Sequence, residues 1–205
     1  MDWDKAQDWE KDWWSNCVNT LFEEEKQIIY AQKMGLDMVG NEKTPYVFDL
    51  HGQSVLDIGG GATSLLLKCI NFTGTVVDPL SLPDWVSDRY REVKIDFWNV
   101  KAETLNNSFE VSPQVLHKLH RFDESWIYNC LSHCENPKEI IRNARKYSKL
   151  IRIFEWIDMP ISEGHIHTLR ENELNEWLNG EGKVEKMNTR SMRGTAYYSI
   201  VPTGL

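Results

Sequence analysis

The spacing of apolar side chains changes character near residue 45. Before that point apolar residues recur at helical intervals among charged ones, so residues 1–38 are predicted to be helical. A Thr20-x-x-Glu23 capping box predicts a helix start, because each of these side chains can bond to an unpaired backbone amide. Gly35 predicts the helix end. The apolar stripe of this helix would consist of Leu21, Ile28, Ile29 and Met34.

After residue 45, short apolar runs alternate with amphipathic segments. This order predicts an α/β fold: a doubly wound, mostly parallel seven-stranded sheet behind a helical N-terminal extension. The last two strands have no helix between them, which predicts one antiparallel strand near the C-terminus. The predicted strands are 54–58, 74–78, 91–99, 125–130, 150–156, 183–189 and 195–201, and helices are predicted after Thr63 and Ser64, after Asn136, and from Thr168 to Gly180.

The composition describes an acidic globular chain. Its 205 residues include 31 acidic and 23 basic ones, for a net charge of −8. The length predicts one structural domain, with an extension or lid at 1–44 and a main part at 45–205. The negative charge disfavours nucleic acids and anionic membranes as partners. We see no signal peptide and no membrane-length apolar run, and we therefore expect a cytoplasmic protein with free thiols.

The strongest chemical signal is the turn after the first predicted strand, Asp57-Ile58-Gly59-Gly60-Gly61. Glycines let a backbone approach a ligand closely, and a helix after the turn would add its free amides. Dinucleotide binding requires G-x-G-x-x-G, but Ser64 stands where the third glycine belongs, and Asp57 would repel a pyrophosphate. A cofactor that carries an ammonium group suits this acid better.

The same turn resembles the first motif of the class I S-adenosylmethionine-dependent methyltransferases, acid-x-Gly-x-Gly. It departs from the usual family pattern at Thr63, where a third glycine is common. The resemblance implies a Rossmann-like sheet and S-adenosylmethionine as the cofactor. An acid after the second strand, Asp78, can accept hydrogen bonds from both ribose hydroxyls. Pro79 and Leu80 follow it, where the resemblance implies contact with adenine.

Later segments continue the resemblance in the family's order. Ala102 and Glu103 stand where a small residue and an acid lie beside the adenine, and 126–137 resembles the fourth strand with its loop. The stretch 164–169 is similar to one that precedes a helix in members acting on small molecules. The cofactor-binding residues implied are Asp57, Gly59, Gly60, Gly61, Asp78, Pro79, Leu80, Ala102, Glu103, Asn129, Cys130 and Leu131.

A methyltransferase positions a nucleophile in line with an activated methyl group, and a hydroxyl acceptor also needs a base. His133 is our first candidate for the catalytic base because it follows the fourth strand; His167 is the second, and His165 is also considered. Cys130, His133 and Cys134 lack a fourth ligand, so no metal site is predicted. The amine-directed Asp/Asn-Pro-Pro-Tyr/Phe tetrapeptide does not follow the fourth strand, which favours oxygen as the methylated atom.

The implied function is therefore methyl transfer to a small molecule, such as a sugar or a glycan precursor. Two rivals stay open: a nicotinamide-dependent oxidoreductase and a catalytically silent protein that binds S-adenosylmethionine. Four of the nine tryptophans fall in the first 14 positions. They could pack the extension onto the sheet domain, cover the substrate, or form a homodimer contact.

Overall fold

A computed structural model describes residues 3–41, 43, 46–106, 122–188 and 193–204, without the side chains of Cys17, Val18, Thr20 and Phe22. Two helices, α1 (Trp3–Ser15) and α2 (Cys17–Lys33), precede the sheet. The described strands are β1 (Phe48–Ile58), β2 (Cys69–Val77), β3 (Asp96–Trp98), β4 (Phe122–Tyr128), β5 (Ser148–Ile157), β6 (Lys183–Asn188) and β7 (Arg193–Pro202). The later helices are α3 (Asp84–Glu92), α4 (Pro137–Tyr147) and α5 (Glu171–Leu178). None of the described helices is long and apolar enough to cross a membrane.

The strands form one sheet in the order β3-β2-β1-β4-β5-β7-β6. Strands β1 to β5 are parallel to one another, whereas β7 is antiparallel to both β5 and β6. The predicted mostly parallel, seven-stranded sheet with one antiparallel strand is therefore confirmed. Because β1 to β5 are parallel, their carboxyl ends meet at a single edge of the sheet.

Each face of the sheet buries its own apolar core. Successive side chains of a strand point to opposite faces, so Leu56 and Ile58 join one core while Val55 joins the other. Helices α4 and α5 cover the first core with residues such as Ile140 and Leu174. The other core is covered by side chains of α2 and α3. Helices on both faces make the sheet doubly wound, as predicted.

The connection from β1 to β2 differs from the prediction. The α-helix expected there is wrong: residues 65–68 form a single 3₁₀ turn, and β2 begins at Cys69. Ser64 Oγ accepts from the Leu66 amide, and the Cys69 amide bonds back to the Leu66 carbonyl, so the turn closes at once. Strand β1 begins at Phe48, earlier than predicted, and Phe48 pairs with Cys69. The end of the segment expected to be helical, Cys69 and Ile70, thus pairs in parallel with β1.

Helix α2 covers the face of the sheet beside this short connection. Gln27 Nε2 donates to Thr63 Oγ1 over 3.0 Å. Glu24 forms ion pairs with Lys68, at 3.1 Å, and with Arg89 of α3, at 2.8 Å. The N-terminal extension is therefore bonded directly to the turn that follows the glycines.

The start of α2 also differs from the prediction, whereas its end does not. The helix begins at Cys17, so Thr20 lies inside it and the expected capping box does not mark its start. Leu21, assigned to the apolar stripe, is 61% exposed, while Met34 is fully buried. Gly35 follows the helix with a φ of +71°, which confirms the predicted terminator.

Other helix and strand boundaries differ from the predicted ones because the local sequence signals for them were weak. Helix α3 was missed, and the strand predicted at 91–99 is only Asp96–Trp98. Helix α5 is preceded by Arg170 and not by the expected Thr168 cap. The start of α4 is confirmed, since the Asn136 side chain accepts from the Glu139 amide over 3.2 Å. The connection between the last two predicted strands, 183–189 and 195–201, lies largely outside the described residues.

Candidate active site

A cavity of about 360 Å³ lies at the carboxyl edge of the sheet. The turn after β1 and the residues that follow β2 and β4 form its floor, and α1 covers it. Two predicted residues, Asp57 and Leu131, are fully buried behind the cavity wall, and Gly60 lines a smaller adjoining cavity. The predicted cofactor residues that line the main cavity are Gly59, Gly61, Asp78, Pro79, Leu80, Ala102, Glu103, Asn129 and Cys130.

The glycine turn depends on conformations that a side chain would disturb. Gly59 has a φ of +74°, and a Cβ there would lie 2.5 Å from the Cβ of Cys130. Gly61 has a φ of +55°, and a Cβ there would lie 3.5 Å from the indole of Trp14. Side chains rarely adopt such φ values. The glycines thus bring the backbone against Cys130 after β4 and beneath the indole of Trp14.

Asp57 supports the turn from behind. Its Oδ2 accepts hydrogen bonds from Ser64 Oγ at 2.5 Å and from the Tyr128 hydroxyl at 2.6 Å. Oδ1 is buried without a hydrogen-bond partner among the described residues. Burial raises the pKa of Asp57 to about 7, although both hydrogen bonds oppose this rise. The carboxyl group therefore organises the turn.

Asp78 follows β2 and lines the cavity. Its Oδ2 accepts from the Gly61 amide at 3.0 Å, and its Oδ1 accepts from the Leu80 amide at 2.9 Å. Burial raises the pKa of Asp78 to about 6. A carboxylate oxygen has room for a second hydrogen bond. Asp78 can thus accept two further donors from a ligand while it remains fixed by the backbone.

Ala102 and Glu103 lie in a 3₁₀ turn after β3. Ala102 is buried at the cavity wall. Glu103 Oε1 accepts from the amides of Glu135 and Asn136, at 3.0 and 3.2 Å. This acid therefore holds the segment that leads into α4 as well as lining the cavity.

Glu155 was not found by the sequence analysis. It lies on β5 and is 1% exposed. Its Oε1 accepts from the amides of Cys130 and Leu131, each at 3.0 Å. Burial raises the pKa of Glu155 to about 7, although these two hydrogen bonds oppose the rise. The available signal was an acid within the apolar run of a central strand, since a buried carboxyl group requires partners.

The three candidate histidines occupy different positions. His133 lines the cavity, with Nδ1 2.8 Å from Oε1 of Glu10. His165 also lines the cavity, and its ring meets His133 edge to face with 4.6 Å between centroids. His167 lies apart from the cavity-lining residues, with Nε2 3.3 Å from the Glu135 carbonyl oxygen. The structure thus places two of the three imidazoles side by side at the cavity.

Helix α1 covers the cavity with an aromatic face. Trp9 and Trp13 stack with 5.3 Å between ring centroids, and Lys101 lies 3.7 Å from the ring centroid of Trp3. The tryptophans therefore pack on the sheet domain and cover the cavity at once, while a homodimer contact stays a prediction. The cavity-lining residues of α1 are Trp3, Gln7, Trp9, Glu10, Trp13 and Trp14.

The sheet order, with β7 antiparallel between β5 and β6, decides the fold when combined with the glycine turn. The chain has the fold of the class I S-adenosylmethionine-dependent methyltransferases. It is similar to the N-methyltransferase NodS from Bradyrhizobium japonicum WM9, solved with S-adenosyl-L-homocysteine (SAH). The TM-score is 0.53 at 14% identity, over 88% of this chain and 87% of that one. It is also similar to magnesium protoporphyrin IX methyltransferase (ChlM) from Synechocystis PCC 6803 with bound S-adenosylmethionine, with a TM-score of 0.55 at 13% identity over 91% and 84% of the two chains.

Another protein with this methyltransferase fold is described as a cyclase. The [4+2]-cyclase SpnF matches with a TM-score of 0.52 at 18% identity, over 80% of this chain and 59% of that one. No family model matches the sequence, and no curated protein matches it. The reaction must therefore be argued from the site itself.

Proposed function

We propose that this chain is an S-adenosylmethionine-dependent methyltransferase that acts on a hydroxyl group of a small molecule, such as a sugar or a glycan precursor. One observation carries this proposal: the Asp78 carboxylate and the glycine turn share one cavity and are joined by a hydrogen bond to the Gly61 amide. The free thiols of Cys69, Cys130 and Cys134 support a reducing, cytoplasmic setting for the reaction.

The cavity residues fit this cofactor. Asp78 keeps an acceptor position on each oxygen, which matches the two adjacent hydroxyls of a ribose. Pro79, Leu80 and Ala102 supply an apolar wall for adenine. Gly59 and Gly61 carry no side chain, so the turn offers its backbone to the polar end of the cofactor. The buried Asp57 does not line the cavity, so it would affect the polar end of the cofactor indirectly, by fixing the conformation of the glycine turn.

When bound, the cofactor supplies a methyl group that its sulfonium already activates. The chain must hold the acceptor oxygen in line with that group and take up its proton. His133 and His165 both line the cavity, so they are the candidate groups for this proton. Trp9, Trp13 and Trp156 also line the cavity, and their aromatic faces suit the apolar face of a sugar ring.

Titration calorimetry with SAH tests the cofactor assignment. We expect binding to the unaltered protein and about 100-fold weaker binding to Asp78→Ala, since each charge-assisted hydrogen bond contributes about 1.5–3 kcal/mol. The matched control is Asp88→Asn, at an acid whose side chain is 59% exposed and pairs with Arg91 of the same helix. Equal affinities for all three proteins would contradict the site.

The rival functions give different results in the same assay. Binding of a nicotinamide cofactor without binding of SAH would support the oxidoreductase. Tight SAH binding without transfer of a labelled methyl group to any compound in a broad panel of hydroxylated acceptors would support the silent binding protein. Labelled product from a sugar or glycan precursor would support the proposal.

A further inference from the structure

Helix α1 brings a carboxylate to one of the active-site histidines. Glu10 Oε1 lies 2.8 Å from His133 Nδ1, and their side chains are only 12% and 16% exposed. The other carboxylate oxygen of Glu10 accepts a hydrogen bond from Trp14 Nε1 at 3.1 Å. Glu10 is therefore held by its own helix while it contacts a residue of the sheet domain.

His133 is surrounded by acceptors and by negative charge. Besides Glu10, the backbone of Gly164 raises the pKa of His133. The carboxyl groups of Glu155 on β5 and Asp78 after β2 act on it electrostatically. A largely buried carboxylate 2.8 Å from Nδ1 favours the charged imidazolium, because the opposite charges attract. Burial would lower the pKa of His133, but the carboxylates outweigh burial and the pKa lies above the ordinary 6.5.

The surroundings of His165 lower its pKa, in contrast to those of His133. It lines the cavity beside His133. Burial and the neighbouring His133 lower the pKa of His165 to about 4; Lys26 lowers it further, and Glu10 opposes this change. At neutral pH this imidazole keeps a free nitrogen lone pair.

We propose that Glu10 is a positioning residue that pairs with His133 to keep that imidazole protonated, and that His165 is the catalytic base. This inference rests on the proposed function. In the transfer step a lone pair of the acceptor hydroxyl oxygen forms the new C–O bond. The electron pair of the broken C–S bond stays on sulfur, and the O–H proton passes to the free nitrogen of His165. The oxygen becomes strongly acidic as it is alkylated, so a weak base suffices.

The pairing also fastens α1 over the cavity. The backbone carbonyl of the same histidine accepts from Gln7 Nε2 over 3.5 Å, so two side chains of α1 converge on His133. A ligand in the cavity would lie beneath this helix. Loss of the Glu10 charge is therefore expected to shorten the residence time of a ligand in the cavity.

The test follows the imidazole C2–H signals by NMR across about pH 4–9 in the presence of SAH, assigned with His133→Gln and His165→Gln. We expect His133 to titrate above 6.5 and His165 to stay neutral to about pH 4. In Glu10→Gln the His133 midpoint should fall by about one pH unit or more, and SAH should dissociate about tenfold faster. Asp12→Asn, an exposed acid on the same helix, should change neither quantity.

Failure of the proposed function and failure of this inference give different results. If SAH does not bind, the proposed function fails, and the titration of the ligand-free protein still tests the Glu10–His133 pair. If SAH binds but Glu10→Gln leaves the His133 midpoint unchanged, or if His165 titrates above His133, the inference is overturned. With an acceptor in hand, His165→Gln should lower kcat without weakening SAH binding. A rate that rises with the His133 midpoint would also overturn the assignment.

Discussion

Three buried carboxyl groups beside the cavity should make the folded protein less stable as pH rises. Burial raises the pKa of Asp57 to about 7, of Asp78 to about 6 and of Glu155 to about 7. Their ordinary values are 3.8 for aspartate and 4.5 for glutamate. At pH values between the ordinary and the raised pKa values, the folded state binds more protons than the unfolded state. The free energy of unfolding therefore falls as pH increases from about 4.5 to about 7.

The size of the effect follows from the same values. A group with a folded pKa of about 7 and an ordinary unfolded pKa loses about 2–3 kcal/mol of stabilisation between about pH 5 and pH 8. Asp57 and Glu155 both have such a raised pKa. The raised pKa of His133 also lowers the free energy of unfolding as pH rises. We expect a total fall of about 5 kcal/mol, which is a large part of the roughly 5–15 kcal/mol typical of a folded domain.

Urea unfolding followed by far-UV circular dichroism measures this difference in the ligand-free protein. Asp57→Asn should remove about 2–3 kcal/mol of the pH dependence, because the amide does not titrate. Asp88→Asn, at an exposed position, should keep the full dependence. A free energy of unfolding that is equal at the two pH values, or greater at about pH 8, would refute the reasoning.

Two further changes test the contacts that shape the site. Glu155→Ala leaves the amides of Cys130 and Leu131 buried without an acceptor, so we expect a loss of about 2–6 kcal/mol of unfolding free energy in urea. Glu155→Gln should lose less than about 1 kcal/mol because its amide oxygen still accepts, and equal losses would contradict this role. Gly59→Ala places a Cβ 2.5 Å from that of Cys130, and we expect a loss of about 2–3 kcal/mol in the same assay. Gly52→Ala has a similar positive φ but meets nothing within 4 Å, so it should lose only about 1 kcal/mol.

The parallel sheet was predictable because short apolar runs alternate with amphipathic segments, which favours strands joined by helices. Helix α3 was missed because only Val86 and Tyr90 of its residues are buried, too few to show a helical period. The apolar run at 65–67, by contrast, was predicted as a helix because its residues are apolar. Its residues are apolar enough, but pairing between β1 and β2 begins at Cys69 and leaves room for one turn.

Of the site residues, those within a local motif were predictable, and those brought in by distant contacts were not. Gly59, Gly61 and Asp78 follow strands, so a local motif locates them at the carboxyl edge. Glu10 could not be found in this way. Its contact with His133 depends on α1 folding across the cavity, and no local spacing encodes a contact between the start of the chain and a turn beyond its middle.

The placement of α2 has a consequence for experiments on shortened chains. Tyr30 and Met34 of this helix are buried in the same core as Phe154 and Trp126, and Arg152 of β5 donates to the carbonyl oxygen of Met34 at 2.7 Å. A fragment that begins at residue 45 would leave one face of the central strands open to water. Such a fragment should aggregate when expressed, and its failure to bind a ligand would reflect lost folding and not a lost substrate-selecting segment.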